Sequence, residues 1–132
     1  MGIIDGVNRW LRRRWGRTGP GSVRVSPENL KVVNDSGRET VIPWGSVRQV
    51  MAVTLNTHVR PDFFIVFVRW GSGSVTELNE AMHGWAEVPE AFERHLPGSA
   101  PSTRWLLELH SNPRGPVRIF EADRDPSFEE RP

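Results

Sequence analysis

The sequence predicts an α+β domain, mostly antiparallel β, in which about six to seven short strands pack against one amphipathic helix. Three observations carry that expectation. Apolar and polar residues alternate in short runs between residues 22 and 80, the period of half-buried strands. Turn formers are dense, with 12 Gly and 11 Pro, and they cluster between the runs, as in Asn34-Asp35-Ser36-Gly37 and Gly71-Ser72-Gly73. A helical period then takes over at Trp85, Val88, Phe92 and Leu96, spaced i, i+3, i+7 and i+11. The chain has 132 residues, enough for one core and one domain.

The first 21 residues read as a basic amphipathic helix and linker. Ile3, Ile4, Val7, Trp10 and Leu11 recur at helical spacing, while Arg9, Arg12 and Arg13 take other positions. Gly16 and Thr18-Gly19-Pro20-Gly21 stop the helix and make a joint. Residues 1–17 carry five arginines against Asp5, a local +4 that leaves about −3 for the rest of a chain of net charge +1. Two uses of this segment stay open. It packs Ile4, Val7 and Leu11 on its own domain, or it presents Trp10, Arg12, Arg13, Arg14 and Trp15 to an anionic membrane or a partner's groove. Arg12-Arg13-Arg14 is not followed by the apolar run of an export signal, and Gly6 replaces the Ser or Thr of a myristoylation site, so neither targeting device is expected.

The β-rich part is expected over residues 22–120. Residues 23–25 and 30–33 read as strands separated by Ser26-Pro27-Glu28-Asn29. The Asn34–Gly37 turn returns the chain as a strand over residues 39–44, with Thr40, Ile42 and Trp44 on one face and Pro43 marking an edge or a bend. Residues 47–55 alternate, and Val47, Gln49, Met51, Val53 and Leu55 are read as the core face. A polar loop, 56–62, leads to residues 63–68, the one run of six consecutive apolar residues, which is expected to be covered on both sides. Arg69 and Trp70 carry it to the surface. Another strand follows at 75–80. Pro89 sets the start of regular helix and Leu96-Pro97-Gly98 its end. Residues 104–110 form a further helix, 117–120 a last strand, and 121–132 an acidic, loosely ordered tail.

Composition narrows function mainly by exclusion. The absence of cysteine removes disulfides, thiolate metal sites and Cys nucleophiles. No apolar run approaches the length of a membrane span. Basic charge comes from Arg, with Lys31 the only lysine, and the acidic balance beyond residue 17 opposes a phosphate track, so nucleic acid is not expected as a partner. The histidines His58, His83, His95 and His110 have no ligand pairing at close spacing, and Glu77, Glu80 and His83 would share a face only on a helix. No cofactor or metal is expected. Glu77 and Glu80 are the one carboxylate pair that could serve a hydrolase, but they belong to an acidic run. Gly71-Ser72-Gly73-Ser74 lacks the arrangement of a nucleophile elbow and reads as a hairpin turn. The chain is therefore expected not to be an enzyme.

Ile42-Pro43-Trp44, followed by Val47 and Val50, opens an ordered set of short motifs. Asp62, Phe64 and Ile65 come next, then Glu77-Leu78-Asn79-Glu80, Met82 and Gly84-Trp85, then Leu96-Pro97-Gly98 with Trp105 beyond. This set resembles a family of small uncharacterised bacterial proteins with a pleckstrin-homology-like (PH-like) layout, over roughly residues 23–120. The resemblance implies a small barrel or bent sheet plugged by the helix, and it implies no activity. By analogy with small single-domain bacterial proteins, it points to an immunity or accessory partner of a secreted toxin or effector.

The expected function is protein–protein recognition in the cytoplasm, without catalysis. The expected contact surface is an acidic rim of Glu77, Glu80, Glu87, Glu90 and Glu93 with the surface-prone Trp70. The alternative is a module peripheral to the inner membrane, docked by its basic N-terminal helix on anionic lipid.

Overall fold

The computed structural model describes residues 21–55, 63–111 and 116–122. The expectations of an N-terminal helix, of the 56–62 loop and of the tail beyond Ala122 lie outside the described residues.

Among the described residues, seven antiparallel strands form two sheets. β1 (Ser22–Val25), β2 (Asn29–Val33) and β3 (Glu39–Pro43) make one in the order β1-β2-β3. β4 (Val47–Leu55), β5 (Phe63–Trp70), β6 (Ser74–Asn79) and β7 (Val117–Glu121) make the other in the order β6-β5-β4-β7. Between β6 and β7 lie α1 (Val88–His95) and α2 (Ser102–Ser111). Among the described residues there is no closed barrel, and the barrel or single bent sheet expected from the sequence is corrected to two sheets. The break falls where Pro43 ends β3 and a 3-10 turn, Trp44–Ser46, redirects the chain. Proline offers no ladder donor, and the turn residues leave extended geometry, so β3 and β4 do not pair.

Local chemistry explains the turns. Asn34 Oδ1 accepts from the backbone N–H groups of Ser36 and Arg38 at 3.0 and 2.9 Å, which fixes the β2–β3 hairpin. The sheets meet at a second joint, where the Val23 N–H donates to the His83 carbonyl at 2.8 Å and the His83 N–H to the Gly21 carbonyl at 3.1 Å. Gly84 (φ 94°) follows directly, and a Cβ there would overlap the Val23 carbonyl oxygen. Both the left-handed conformation and the close approach require glycine.

One core fills the space between the sheets and helices. Val23, Leu30, Val32 and Ile42 supply it from the first sheet, and Val50, Ala52, Phe64, Val66, Val68 and Leu78 from the second. Phe92, Leu96, Trp105 and Leu109 close it from the helices. The stripe expected at Val88, Phe92 and Leu96 is buried, and Trp85 is half-buried in a 3-10 turn that leads into α1. Trp44 is buried with Nε1 donating to the Ser26 carbonyl at 2.8 Å, and its ring stacks on His95 at 4.9 Å between centroids.

The face assigned to β4 is corrected. Val47 is buried, but Val50, Ala52 and Thr54 are the other buried residues of the strand, while Gln49, Met51 and Val53 are half-buried on the opposite side. The ladder to β5 shifts register between Val47 and Gln49. The irregularity inserts one residue and reverses the alternation behind it. Thr54 then donates its hydroxyl to the Leu109 carbonyl at 3.2 Å, tying β4 to α2.

Candidate functional site

The acidic side chains divide between two elements. Alternation along β6 puts Leu78 in the core and Glu77 on the outer face, where its register partner is Phe67. Glu80 follows the end of β6. Its Oε1 accepts the Phe64 N–H at 2.9 Å, and its own N–H donates to the Phe64 carbonyl at 3.3 Å. The pair of bonds prolongs the β5–β6 ladder by one residue, so Glu80 acts first as a strand clasp.

Glu87, Glu90 and Glu93 fall on the solvent side of the 3-10 turn Trp85–Glu87 and of α1, while Val88, Ala91 and Phe92 are buried. Glu90 lies in the first helical turn, where a carboxylate complements the helix dipole. Glu93 reaches α2. Its Oε2 accepts the Ser102 N–H at 3.0 Å and the Ser102 hydroxyl at 2.5 Å, satisfying a donor at the start of that helix. These bonds, hydroxyl first and backbone second, hold the Glu93 carboxyl below the usual glutamate range. Trp70, expected at the surface, is half-buried. Its Nε1 donates to Thr76 Oγ1 at 2.9 Å and its ring packs on the core.

The structure therefore sets Glu87, Glu90 and Glu93 in a row on one helical surface, with Glu77 and Glu80 at the end of β6 and Trp70 at the turn end of the β5–β6 hairpin. Trp10, Arg12, Arg13, Arg14 and Trp15 lie outside the described residues. As an acid–base pair, Glu77 and Glu80 have opposite strand parity, and one oxygen of Glu80 is held by a backbone N–H. Among the described residues no group of three or more His, Asp or Glu could hold a metal ion, and no helix is long and apolar enough to cross a membrane.

Two features escaped the sequence reading. Asn79 is buried on the outer face of β6, its Oδ1 accepting the Ala81 N–H at 3.0 Å. Its place at the end of an alternating run was the available signal. Leu107, on α2, is 65% exposed, opposite the buried Trp105 and Leu109.

The class that fold and site define is an α+β protein of two packed antiparallel sheets, with an exposed acidic row on one helix. No protein-family model, curated protein or solved structure matches the chain.

Proposed function

We propose that the protein is a non-catalytic binding module that acts by protein–protein recognition, in an immunity or accessory role towards a secreted toxin or effector. One observation carries the reading. Glu80, Glu93 and Trp70 hold backbone or side-chain partners within the fold, while Glu87, in the 3-10 turn before α1, and Glu90, in its first turn, stand exposed beside the buried Val88, Ala91 and Phe92. Carboxylates on a rigid surface raise the encounter rate with a basic partner and favour its correct orientation. The PH-like assignment belongs to the same proposal. A β-rich body closed by an amphipathic helix supports it, and the division into two sheets is the feature it must accommodate.

The test is capture from native lysate at low and high salt, with the parent chain beside Glu87→Arg/Glu90→Arg. The reading expects a basic protein retained by the parent at low salt and lost by the variant, with the same melting curve for both. Equal retention by parent and variant, or turnover of a small molecule by the pure protein, defeats it.

A further inference from the structure

The three-stranded sheet ends in an open edge at β3. Its ladder to β2 begins at the hairpin, where the Asn34 N–H donates to the Arg38 carbonyl at 3.0 Å. Bonded pairs recur at every second residue of an antiparallel ladder, so Val32–Thr40 and Leu30–Ile42 are the bonded pairs beyond it. Glu39 and Val41 therefore turn their N–H and C=O groups away from β2. Among the described residues no backbone group meets them. Other edges differ. At β1 the Val23 N–H is taken by the His83 carbonyl at 2.8 Å, and at β7 the Ile119 carbonyl takes the Ala100 N–H at 2.8 Å. On β6 the Asn79 carbonyl takes the Met82 N–H at 3.1 Å, and Glu77 is half-buried.

The side chains suit this edge to pairing. Thr40, Val41 and Ile42 are consecutive β-branched residues, which favour extended backbone. Val41 is 40% exposed and Glu39 is exposed. Both lie on the outer face of the sheet, away from the core residues Val32 and Ile42. The register sets Val41 in one row with Lys31 and Arg24, and Glu39 in the next with Val33 and Ser22.

The edge is complementary to itself in one register. Antiparallel pairing with a second copy can oppose Glu39 to Glu39, Val41 to Val41, or Glu39 to Val41. The first sets two carboxylates directly against each other, which is destabilising. The second sets Glu39 against Pro43, which has no N–H and whose carbonyl already accepts the Ser46 hydroxyl at 2.7 Å. The third matches both open donors of each edge to both open acceptors of the other. It also brings the two Thr40 side chains together on the inner face, a favourable cross-strand pair. Each Glu39 then lies in the row of the second copy's Lys31, two strand spacings or about 10 Å away, with its Arg24 beyond.

We propose that β3 is a homotypic docking edge, which pairs antiparallel with β3 of a second copy about a two-fold axis at Thr40. The product is one continuous sheet in the order β1-β2-β3-β3-β2-β1. Its growth stops at two copies, because both ends of the new sheet are β1 edges already held by His83. The paired edge is short, so the dimer is weak, with Kd about 10–1,000 μM. The inference is independent of the acidic row on α1.

Sedimentation equilibrium of the full chain at low salt tests it. A reversible monomer–dimer equilibrium is expected, and a monomer at every concentration up to about 1 mM, the upper end of that Kd range, overturns it. Glu39→Lys places only positive charge in the row of Lys31 and Arg24, and should weaken the dimer about tenfold. Lys31→Glu added to it should restore most of the loss, and Glu87→Arg/Glu90→Arg should leave the dimer unchanged. The melting curve of each dilute variant should match the parent's, and a dimer equally strong in Glu39→Lys overturns the proposal. Amide hydrogen exchange of the unaltered chain gives a readout without substitution. The Glu39 and Val41 amides should exchange fast in dilute solution and slow as concentration rises, while those of Thr40 and Ile42 stay unchanged. Slowing at Val75 and Glu77 instead, the mark of pairing through β6, overturns the proposal, as does association that continues beyond two copies.

Discussion

Single side chains in this fold serve as connectors more often than their exposure suggests. Glu80 is half-buried and takes the Phe64 N–H, so Glu80→Ala removes a charge-assisted bond at a strand end. The expected loss is about 1–3 kcal/mol, read from the urea midpoint. Trp105 is fully buried, and its Nε1 has no hydrogen-bond partner among the described residues. Trp105→Phe deletes that donor together with some volume, whereas Trp105→Ala leaves a cavity costing about 3–5 kcal/mol. The phenylalanine variant is therefore expected to retain most of the stability that the alanine variant loses. Glu93 links α1 to α2 through Ser102. Its carboxyl is depressed in the folded state, so its contribution is present above the ordinary glutamate range and fades as pH falls through the lowered value. Carboxyl-carbon NMR should find Glu93 titrating low, and Ser102→Ala should return it towards the usual range.

At the scale of elements, the joint between β1 and His83 leaves no room for a side chain at Gly84. Gly84→Ala forces a side chain into the left-handed region and against the Val23 carbonyl. The expected cost is about 2–4 kcal/mol, with a matching drop in melting temperature. Gly37 has positive φ too but open space around it, and Gly37→Ala should cost less than Gly84→Ala. The elements were largely legible in the sequence because their signals are local. The Asn34–Gly37 turn, the alternation along β2 and β3, and the stripe from Val88 to Leu96 each need only a few neighbours to be read. The face of β4 was not legible. Its alternation looks unbroken along the chain, and only the ladder to β5 reveals the extra residue that reverses it.

For the whole molecule, the same distinction between local and distant information applies. One bent sheet and two sheets share a strand sequence; the choice depends on whether β3 pairs with β4, which a proline and a three-residue turn decide. The acidic positions were legible as residues but not in their division of labour, because Phe64 and Ser102 are far from Glu80 and Glu93 along the chain. Since both sheets and both helices share one core, urea unfolding should be a single event. Tryptophan fluorescence and far-ultraviolet circular dichroism are expected to give coincident curves, and separate midpoints would mean that the sheets unfold as independent units.

The position of β7 also sets an order of events during synthesis. This strand pairs with β4, in the register that sets Val117 against Ala52, although β5, β6 and both helices lie between them in the chain. Until residue 117 has left the ribosome, one side of β4 is a row of bare backbone donors and acceptors, beside the apolar surface of Val50 and Ala52. Such an edge recruits foreign strands, and a pairing this distant in sequence forms slowly. Nascent or truncated chains that stop before residue 117 should therefore be the aggregation-prone species of this protein, and a chaperone that shields strand edges should act on it late in translation.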